Sequence, residues 1–412
     1  MTSSDRLPVL DGIRGLAILM IMQYHFWGLG FGIVDRKPLL AVDRWVSSVR
    51  ELGWTSVDLF FVLSGFLITG ILVDAKGRSQ HYFRNFYARR FLRIFPLYYL
   101  FLSVMLTVAA RIPPVASYAS TGELQSQEAW FWTYLVNVAA SVPACGAQIP
   151  VVYTHFWTLS LEEQFYLAWP FVVLALNERQ LTWLCCLMIP TALLLRVAVV
   201  LGAFSLIVFP NAAHVLTPAR MDTLALGALV ALAARGAIDL RRLARLAPYV
   251  ASACAACIVL LFLVRRGLPL FDPFALTIGF TIVDVMWAAV LVLAITAPGL
   301  RLCRALAHPG LRMFGRYSYC IYIVHLLVGF ALAVIGLRLQ VFRTFAGSQI
   351  PMNLVLSATA TAVCLGIGLV SWNLIEKQFL RLKVWFPYET RVVPAAASPR
   401  RSRVPETPAA SS

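Results

Sequence analysis

The stretch RGLAILMIMQYH holds two chemically competent residues, Arg14 and His25, in one apolar segment. Eleven positions separate them, close to three turns of an α-helix, so both side chains should lie on one helix face roughly 16 Å apart. A guanidinium binds carboxylates and phosphates through its fork of N–H donors, and an imidazole exchanges a proton near neutral pH. The spacing therefore predicts an anion-binding group and a proton-transferring group on the same side of a helix.

Composition predicts that this helix lies in a membrane. Of the 412 residues, 60% are hydrophobic and 13% are charged, whereas soluble domains carry about 25% charged residues. The apolar residues form runs long enough to cross a bilayer. The predicted fold class is all-α: a polytopic integral membrane protein with about ten transmembrane helices. We expect the first to be an uncleaved span rather than a signal peptide. The predicted spans are 13–33, 53–73, 91–110, 156–176, 181–201, 217–235, 247–265, 275–297, 313–336 and 352–374.

The basic residues are explained by topology rather than by a polyanionic partner. The net charge is +16, but most Lys and Arg residues flank apolar spans. With both termini in the cytoplasm, 24 of the 35 basic residues lie on the inner side, as the positive-inside rule requires. We therefore expect a lipid bilayer as partner and no nucleic acid. The eight cysteines lack the spacing of a metal site or a disulfide framework, so no metal is predicted.

Two segments differ from the predicted spans. Residues 111–154 form a long outer loop in which AWFWTYLV is expected to lie along the membrane interface. Residues 388–412 are too poor in large apolar residues to form a core, which predicts a disordered cytoplasmic tail. The transmembrane domain is accordingly predicted over 1–387, and we expect no appended soluble domain.

Charged residues within or at the ends of spans divide into two zones. Each such residue costs several kcal/mol unless it is paired or hydrated, so these residues are candidates for function. The inner zone contains Arg89, Arg90 and Arg93 of RRFLRIFP and suits phosphate groups. The outer zone suits hydrogen bonding to a hydroxylated acceptor, and His25 lies between the two zones. The outer residues are Asp58, Glu162, Glu163, Arg220 and Asp222.

Individual roles follow from spacing and chemistry. Glu162 and Glu163 are adjacent and point about 100° apart on a helix, so we expect only Glu163 to face a cavity well. Asp58 is a candidate to orient the His25 imidazole. Plainer interpretations remain: Arg14 could snorkel to the interface, RRFLR could be a positive-inside anchor, and Arg220 and Asp222 could pair structurally. For His325, we favour a helix-packing role.

The chain resembles the bacterial integral-membrane acyltransferase-3 family. LDGIRGLAILMIMQYH is similar to its opening motif, in which a basic residue precedes a histidine by eleven positions. Over about residues 7–380 there follow, in family order, GWTSVDLFFVLSGFLIT, YARRFLRIFPLYY, HFWTLSLEEQFYLAWP, ARMDTLALGAL, GRYSYCIYIVHLL and NLIEKQF. In the last motif Gln378 replaces the usual proline, a departure that leaves the chemistry untouched.

The resemblance implies transfer of an acyl group, most commonly acetyl from acetyl-CoA, to a hydroxyl of a sugar, glycan or glycosylated small molecule. His25 is then the expected catalytic residue, with Glu163 and Asp58 assisting. It acts either as a base toward the acceptor hydroxyl or as a transient acyl carrier. Arg14, Arg90 and Arg93 are expected to bind the acyl-CoA co-substrate, and no cofactor is expected to be tightly bound.

Arg220, Asp222 and Glu162 are the candidate residues for binding a carbohydrate or glycolipid acceptor. Lipopolysaccharide, exopolysaccharide, a lipid-linked sugar and a secondary metabolite all stay open as acceptors. Helical spans predict the bacterial inner membrane as the location.

Two other functions are compatible with buried charges. A proton- or ion-coupled transporter would also use intramembrane His and carboxylates. Against it, the chain has no evident inverted repeat and no matched pair of Gly- or Pro-broken spans. A structural scaffold gives no reason to keep so many ionisable residues inside the membrane.

Overall fold

Ten long helices dominate the computed structural model, which describes residues 8–33, 40–142, 145, 147–203 and 211–388. No strand is present among these residues. The ten long helices are α1 (Pro8–Ile33), α2 (Ser56–Ala75), α3 (Tyr82–Ser103), α4 (Trp157–Ala175), α5 (Glu178–Val200), α6 (Thr217–Ala233), α7 (Leu240–Arg265), α8 (Phe280–Thr296), α9 (Pro309–Arg338) and α10 (Ile350–Ser371).

Shorter helical segments connect and extend the long ones. The α-helical ones are Ala41–Glu51, Pro113–Tyr118, Thr121–Ser126, Glu128–Trp132, Val136–Ala139, Asn211–Val215, Arg301–Leu306 and Lys377–Arg381. Single 3-10 turns occur at Leu52–Thr55, Ala109–Arg111, Val151–Phe156 and Leu382–Trp385. Wide π-turns occur at Val104–Val108, Ala275–Gly279 and Trp372–Glu376.

Each predicted span coincides with one of the ten long helices, which confirms an all-α polytopic membrane protein. Eight helices, all except α1 and α4, are long and apolar enough to cross a membrane when length and composition alone are considered. The total of ten spans and the cytoplasmic termini remain predictions. The third predicted span, 91–110, lies within the continuous helical stretch Tyr82–Arg111, whose first helix α3 begins at Tyr82 and carries the arginines of RRFLR.

The outer loop also differs from expectation. AWFWTYLV does not lie flat along an interface as a whole, because Phe131 is fully buried and Tyr134 stacks on Tyr98 with ring centroids 4.4 Å apart. Phe131 also packs edge-to-face on Tyr153 and Phe156. Aromatic rings gain from such contacts beyond the area that they bury. The loop is therefore folded onto α3 and α4. The predicted disordered tail, apart from Tyr388, lies outside the described residues.

Close approach of α1 and α9 forms the centre of the structure. A Cβ atom on Gly15 would lie 1.8 Å from the Leu311 carbonyl oxygen, and one on Gly315 would lie 1.8 Å from that of Asp11. Neither position can carry a larger residue without moving a backbone. Small residues allow membrane helices to pack at such distances. This contact fixes Arg14 on α1 beside the first turns of α9.

A sealed cluster of five charged residues joins α2, α5, α6 and α8. Arg220 forms an ion pair with Asp58, and Arg196 forms one with Asp222 at 2.7 Å. Arg220 also lies over the Phe280 ring, with its Cζ 3.7 Å from the centroid. The fifth member, Asp284, accepts a 2.9 Å hydrogen bond from Thr223 Oγ1.

All five members of this cluster are 0% exposed. Arg220 and Asp222, predicted to bind the acceptor, are thus enclosed by their ion-pair partners, so the geometry favours the alternative of structural pairing. Asp58 is likewise occupied by Arg220. Each carboxylate and guanidinium contacts a group on a neighbouring helix, which ties these four helices together.

Removing Asp58 should destabilise the protein strongly. Asp58→Leu leaves the Arg220 guanidinium buried without its partner, and breaking a buried pair from one side costs about 3–5 kcal/mol. The double variant Asp58→Leu/Arg220→Met should recover most of this loss. The measurement is the thermal unfolding midpoint of the purified protein in detergent.

The matched control is Asp272→Asn, because Asp272 pairs with the 44% exposed Arg265. An exposed pair contributes about 1 kcal/mol or less. Equal midpoints for Asp58→Leu and Asp272→Asn, or a double variant no more stable than the single one, would contradict a structural role for the buried pair.

Candidate functional site

Four arginines line a vestibule at one end of the helices, between α1, α3 and α9. The cavity is about 440 Å³ in volume. Arg14 comes from α1, Arg93 from α3, and Arg312 and Arg316 from the first two turns of α9. Asp11, at 3.7 Å from Arg14, is the acidic residue in its wall. The surplus of guanidinium groups suits a ligand with several negative charges.

An aromatic wall borders the arginines. Trp372 and Tyr317 line the vestibule, and the Cζ atom of Arg316 lies 4.7 Å from the centre of the Trp372 ring. A cation stacked on an indole is stabilised by the ring quadrupole. The wall therefore offers both a planar aromatic surface and a positively charged one.

A narrower inner cavity adjoins the vestibule. Its volume is about 110 Å³, and Arg14 and Arg93 line both spaces. Most of its wall is apolar, provided by Val57, Phe60, Phe61, Leu67, Ile68, Ile94 and Leu159. Arg90 also faces it, whereas Arg89 instead donates hydrogen bonds to the carbonyls of Lys383 and Phe386. Of the three arginines in RRFLR, two thus line the cavity and one holds the C-terminal segment.

Both glutamates of HFWTLSLEEQF line this inner cavity. Glu162 accepts hydrogen bonds from Ser64 Oγ at 2.8 Å and from Tyr166 OH at 3.0 Å. The buried Oε1 atom of Glu163 has no hydrogen-bond partner in the part of the chain that the structure describes. The expectation that only one of the two could face a cavity was wrong, because the space wraps around α4.

The predicted separation of zones was also wrong for these glutamates. They share a wall with Arg14, Arg90 and Arg93, which come from the opposite predicted zone. Sequence order alone placed them near the outer end of α4, but α4 enters the bundle beside the middle of α2, where Ser64 lies. The site therefore consists of two adjoining cavities that share Arg14 and Arg93 and have walls of mixed charge, and the buried cluster around Arg220 is separate from it.

Phe60, Thr158 and Tyr322 form one part of the wall of the inner cavity. Thr158 and Tyr322 are the lining residues farthest from the vestibule along α4 and α9, whereas on α2 Val57 lies one turn beyond Phe60. The hydroxyl groups of Thr158 and Tyr322 are hydrogen-bonded at 2.7 Å, and Tyr322 OH also donates to the His155 carbonyl at 3.0 Å. We call this set the end layer.

A pair of histidines lies directly beyond the end layer. His25 Nδ1 is 3.0 Å from His325 Nε2, and His325 Nδ1 is 2.7 Å from the carbonyl oxygen of Tyr322. A carbonyl can only accept, so Nδ1 of His325 must carry a proton. In neutral imidazoles, Nε2 of His325 then accepts from Nδ1–H of His25. This chain of donors leaves the lone pair of His25 on Nε2.

His325 thus occupies the position that we predicted for Asp58. We favoured a helix-packing role for His325, but its ring contacts both His25 and the Tyr322 carbonyl. The sequence did place His325 at a depth in its span similar to that of His25. A third imidazole was missed: His155 is 4% exposed, and its ring centroid lies 4.8 Å from that of His325. The sequence could have indicated His155 as a site residue, because it is the first residue of the motif HFWTLSLEEQF.

Arg312 and Arg316 were also missed as candidate ligands. They occur in a basic stretch that the positive-inside rule explains equally well, and only their spacing of four residues, one helical turn, places them on a common face. His25 itself is half-buried and is not among the lining residues of the inner cavity. Contact between the cavity and His25 runs through Tyr322 and His325.

Known proteins that resemble the chain transfer acetyl groups, according to their names. A putative peptidoglycan O-acetyltransferase, YrhL of Bacillus subtilis, is 26% identical over 90% of this chain and 54% of its own length. The peptidoglycan O-acetyltransferase OatA of Listeria monocytogenes is 26% identical over 78% of this chain and 49% of its own length. The O-acetyltransferase OatA of Staphylococcus aureus is 26% identical over 79% of this chain and 51% of its own length.

The chain thus spans about half the length of these relatives, and no solved structure matches it. A family model described as an acyltransferase domain, that of acyltransferase 3, matches residues 7–371. This match covers the inner cavity, the end layer, both histidines and every lining residue of the vestibule except Trp372. The protein belongs to the acyltransferase-3 family of membrane acyltransferases.

Proposed function

We propose that this protein transfers an acetyl group from cytoplasmic acetyl-CoA to a hydroxyl of a cell-envelope glycan. The observation that carries the proposal is that the four-arginine vestibule shares Arg14 and Arg93 with an inner cavity whose lining residue Tyr322 contacts His325. The names of the relatives favour peptidoglycan or a related polysaccharide as acceptor. The apolar helices favour a membrane location, which we propose to be the bacterial inner membrane. Family membership favours this function over the ion-coupled transporter.

The vestibule suits the nucleotide end of acetyl-CoA. That end carries a diphosphate, a further phosphate and an adenine ring, which match four guanidinium groups and an aromatic wall. Arg14, Arg93, Arg312 and Arg316 would bind the phosphates, and Trp372 would face the base. The volume of about 440 Å³ is in the usual range for a small-molecule site.

The inner cavity suits the pantetheine arm. This arm is a narrow chain with two amides, so it needs an apolar passage with a few hydrogen-bonding groups. Glu163 Oε1 and Arg90 Nε are buried without hydrogen-bond partners among the described residues, and both residues line the passage. A buried polar atom left unpaired costs about 1–3 kcal/mol, a cost that an amide of the arm would remove.

His25 is the proposed general base. With its Nδ1–H directed to His325, its Nε2 lone pair can take the proton of an acceptor hydroxyl as that oxygen attacks the thioester carbonyl. The C–O bond forms, the C–S bond breaks, and the thiolate of coenzyme A leaves with a proton passed from His25. His325 is a positioning residue, since it fixes the tautomer and the ring orientation of His25.

Replacing the histidines should separate these two roles. His25→Ala should lower kcat by about 10³-fold or more, in the range for loss of a general base. His325→Ala should lower kcat by a smaller factor, about 10–100-fold, and leave KM for acetyl-CoA unchanged. His325→Gln, which keeps an acceptor near Nδ1 of His25, should recover part of this loss. The assay is acetyl transfer to endogenous glycan in inside-out membrane vesicles.

The pH dependence of kcat provides a second test of His325, because a residue that only packs helices together would not change it. Loss of the His325 partner should displace the pH dependence of kcat, whereas a packing defect would lower the rate equally at every pH. His81→Ala, which removes an exposed imidazole, is the control. Full activity of folded His25→Ala would refute the mechanism, and an unchanged profile for His325→Ala would refute the positioning role.

The arginines of α9 should act on binding rather than on chemistry. Arg312→Ala/Arg316→Ala should raise KM for acetyl-CoA by about 100-fold, because hydrogen bonds to charged groups contribute about 1.5–3 kcal/mol each. The kcat at saturation should change little. S-acetyl-pantetheine, which lacks the nucleotide, should be used equally well by the variant and the wild type.

Arg301→Ala provides the matched control, because Arg301 belongs to the same basic stretch but is exposed outside the vestibule. Equal KM effects of the two donors in the double variant would mean that the arginines act through folding. An unchanged KM for acetyl-CoA would remove the vestibule as the nucleotide site.

A further inference from the structure

The sealed cluster between α2, α5, α6 and α8 has an unequal number of positive and negative groups. It contains two guanidinium groups and three carboxyl groups, so one negative charge is in excess if every member is ionised. All five side chains are 0% exposed, so bulk water does not solvate this charge. A buried ionised group without a counter-charge is so unfavourable that it normally changes its protonation state instead. The members are Asp58, Arg196, Arg220, Asp222 and Asp284.

Asp284 is the carboxyl group that lacks an ion pair. Asp58 is paired with Arg220. Asp222 is paired with Arg196 at 2.7 Å. Asp284 forms no ion pair with any residue that the structure describes, and its recorded partner is a hydroxyl group. The excess charge therefore belongs to Asp284.

The two carboxyl oxygens of Asp284 have different surroundings. Oδ2 accepts a hydrogen bond from Thr223 Oγ1 at 2.9 Å. Oδ1 is buried and has no hydrogen-bond partner among the described residues. An ionised carboxylate would leave Oδ1 without a donor and the whole group without a counter-charge, whereas a proton on Oδ1 removes the charge. Oδ1 is thus the atom at which a proton fits.

Neighbouring groups do not supply the missing positive charge. The ring of His214, from the segment before α6, is parallel to that of Phe280, with centroids 5.8 Å apart. An imidazolium has two N–H donors, but Nδ1 of His214 is buried without an acceptor in the described part of the chain, which favours the neutral ring. Nor is any group of three or more His, Cys, Asp or Glu side chains in this part arranged to hold a metal ion.

We propose that Asp284 holds a proton and that the buried cluster is thereby electrically neutral. The inference is independent of the proposed function, because it involves neither donor nor acceptor. A protonated Asp284 acts toward Thr223 only as a hydrogen-bond acceptor, through its carbonyl oxygen. The amide of an asparagine can do the same, so Asp284→Asn is the matched neutral variant.

Infrared spectroscopy tests the proposal directly, because a protonated carboxyl group has a C=O stretching band that a carboxylate lacks. Purified wild type and Asp284→Asn are compared in detergent at neutral pH. The difference spectrum should contain a carboxylic-acid band of the wild type, and this band should shift when the carboxyl carbon of aspartate is labelled with carbon-13. Identical spectra in the carboxylic-acid region would overturn the proposal.

Thermal unfolding provides a second measurement, with Asp58→Asn for comparison. Asp284→Asn should keep the unfolding midpoint within about 2 °C of the wild type, less than the loss of a hydrogen bond would cause. Asp58→Asn removes the partner of Arg220 and should lower the midpoint by at least about 5 °C. If Asp284→Asn does not fold, or unfolds as early as Asp58→Asn, the Asp284 carboxylate is ionised and the proposal is wrong.

The effect of pH distinguishes a proton from a sodium ion. An aspartate in the unfolded chain is ionised above about pH 4, so the folded wild type binds one proton more and should lose stability as pH rises. Between about pH 6 and pH 9, the wild-type midpoint should fall relative to that of Asp284→Asn. His214→Phe should show the same fall as the wild type. A fall that His214→Phe abolishes, or a wild-type midpoint that sodium raises and Asp284→Asn makes insensitive to sodium, would refute the proton on Asp284.

Discussion

The cost of a charge inside a membrane is the constraint that organises this structure. An ionisable side chain at membrane depth must be paired, hydrated or used, because lipid offers it no partner. The protein meets this requirement in two separate ways. Among α2, α5, α6 and α8 it encloses the charges in a cluster that contains two ion pairs, Arg220 with Asp58 and Arg196 with Asp222. Along α1, α3, α4 and α9, charged side chains instead face a cavity.

This division explains why the two sets of residues differ in chemistry. The enclosed cluster holds helices together, and because all five of its members are 0% exposed it is sealed from a ligand. A cavity-facing residue such as Glu163 or Arg90 retains unpaired atoms and is stabilised only when water or a ligand supplies the missing bond. The buried cluster thereby joins the helices, and under the proposed function the cavity-facing residues bind the donor.

The sequence was sufficient for features that depend on local patterning. The apolar runs located all ten long helices, and the spacing of Arg14 and His25 correctly placed two important groups on α1. Depth along each span also matched His25 with His325. Residue type and order were sufficient here because each of these features is set within a single helix or by the thickness of the bilayer.

Features that depend on how helices pack could not be predicted in this way. Glu162 and Glu163 share a wall with the arginines because α4 lies beside Ser64 of α2, a contact between residues about 100 positions apart. Asp58 pairs with Arg220 rather than His25 for the same reason. Arg312 and Arg316 were hidden because one basic stretch can satisfy both the positive-inside rule and a ligand, and only the position of α9 distinguishes the two.

The position of the histidines beyond the end layer bears on how a thioester could be kept from water. Transfer to an acceptor on the far side requires that the acyl carbonyl meet His25 and the acceptor hydroxyl without meeting bulk solvent. In this structure the hydrogen-bonded hydroxyls of Thr158 and Tyr322 separate the inner cavity from His25. The same tyrosine contacts the cavity through its ring and His325 through its carbonyl. Under the proposed function, a donor in the inner cavity contacts the Tyr322 ring. The carbonyl of Tyr322 binds His325, which orients His25, so binding of the donor can affect the orientation of His25 through Tyr322.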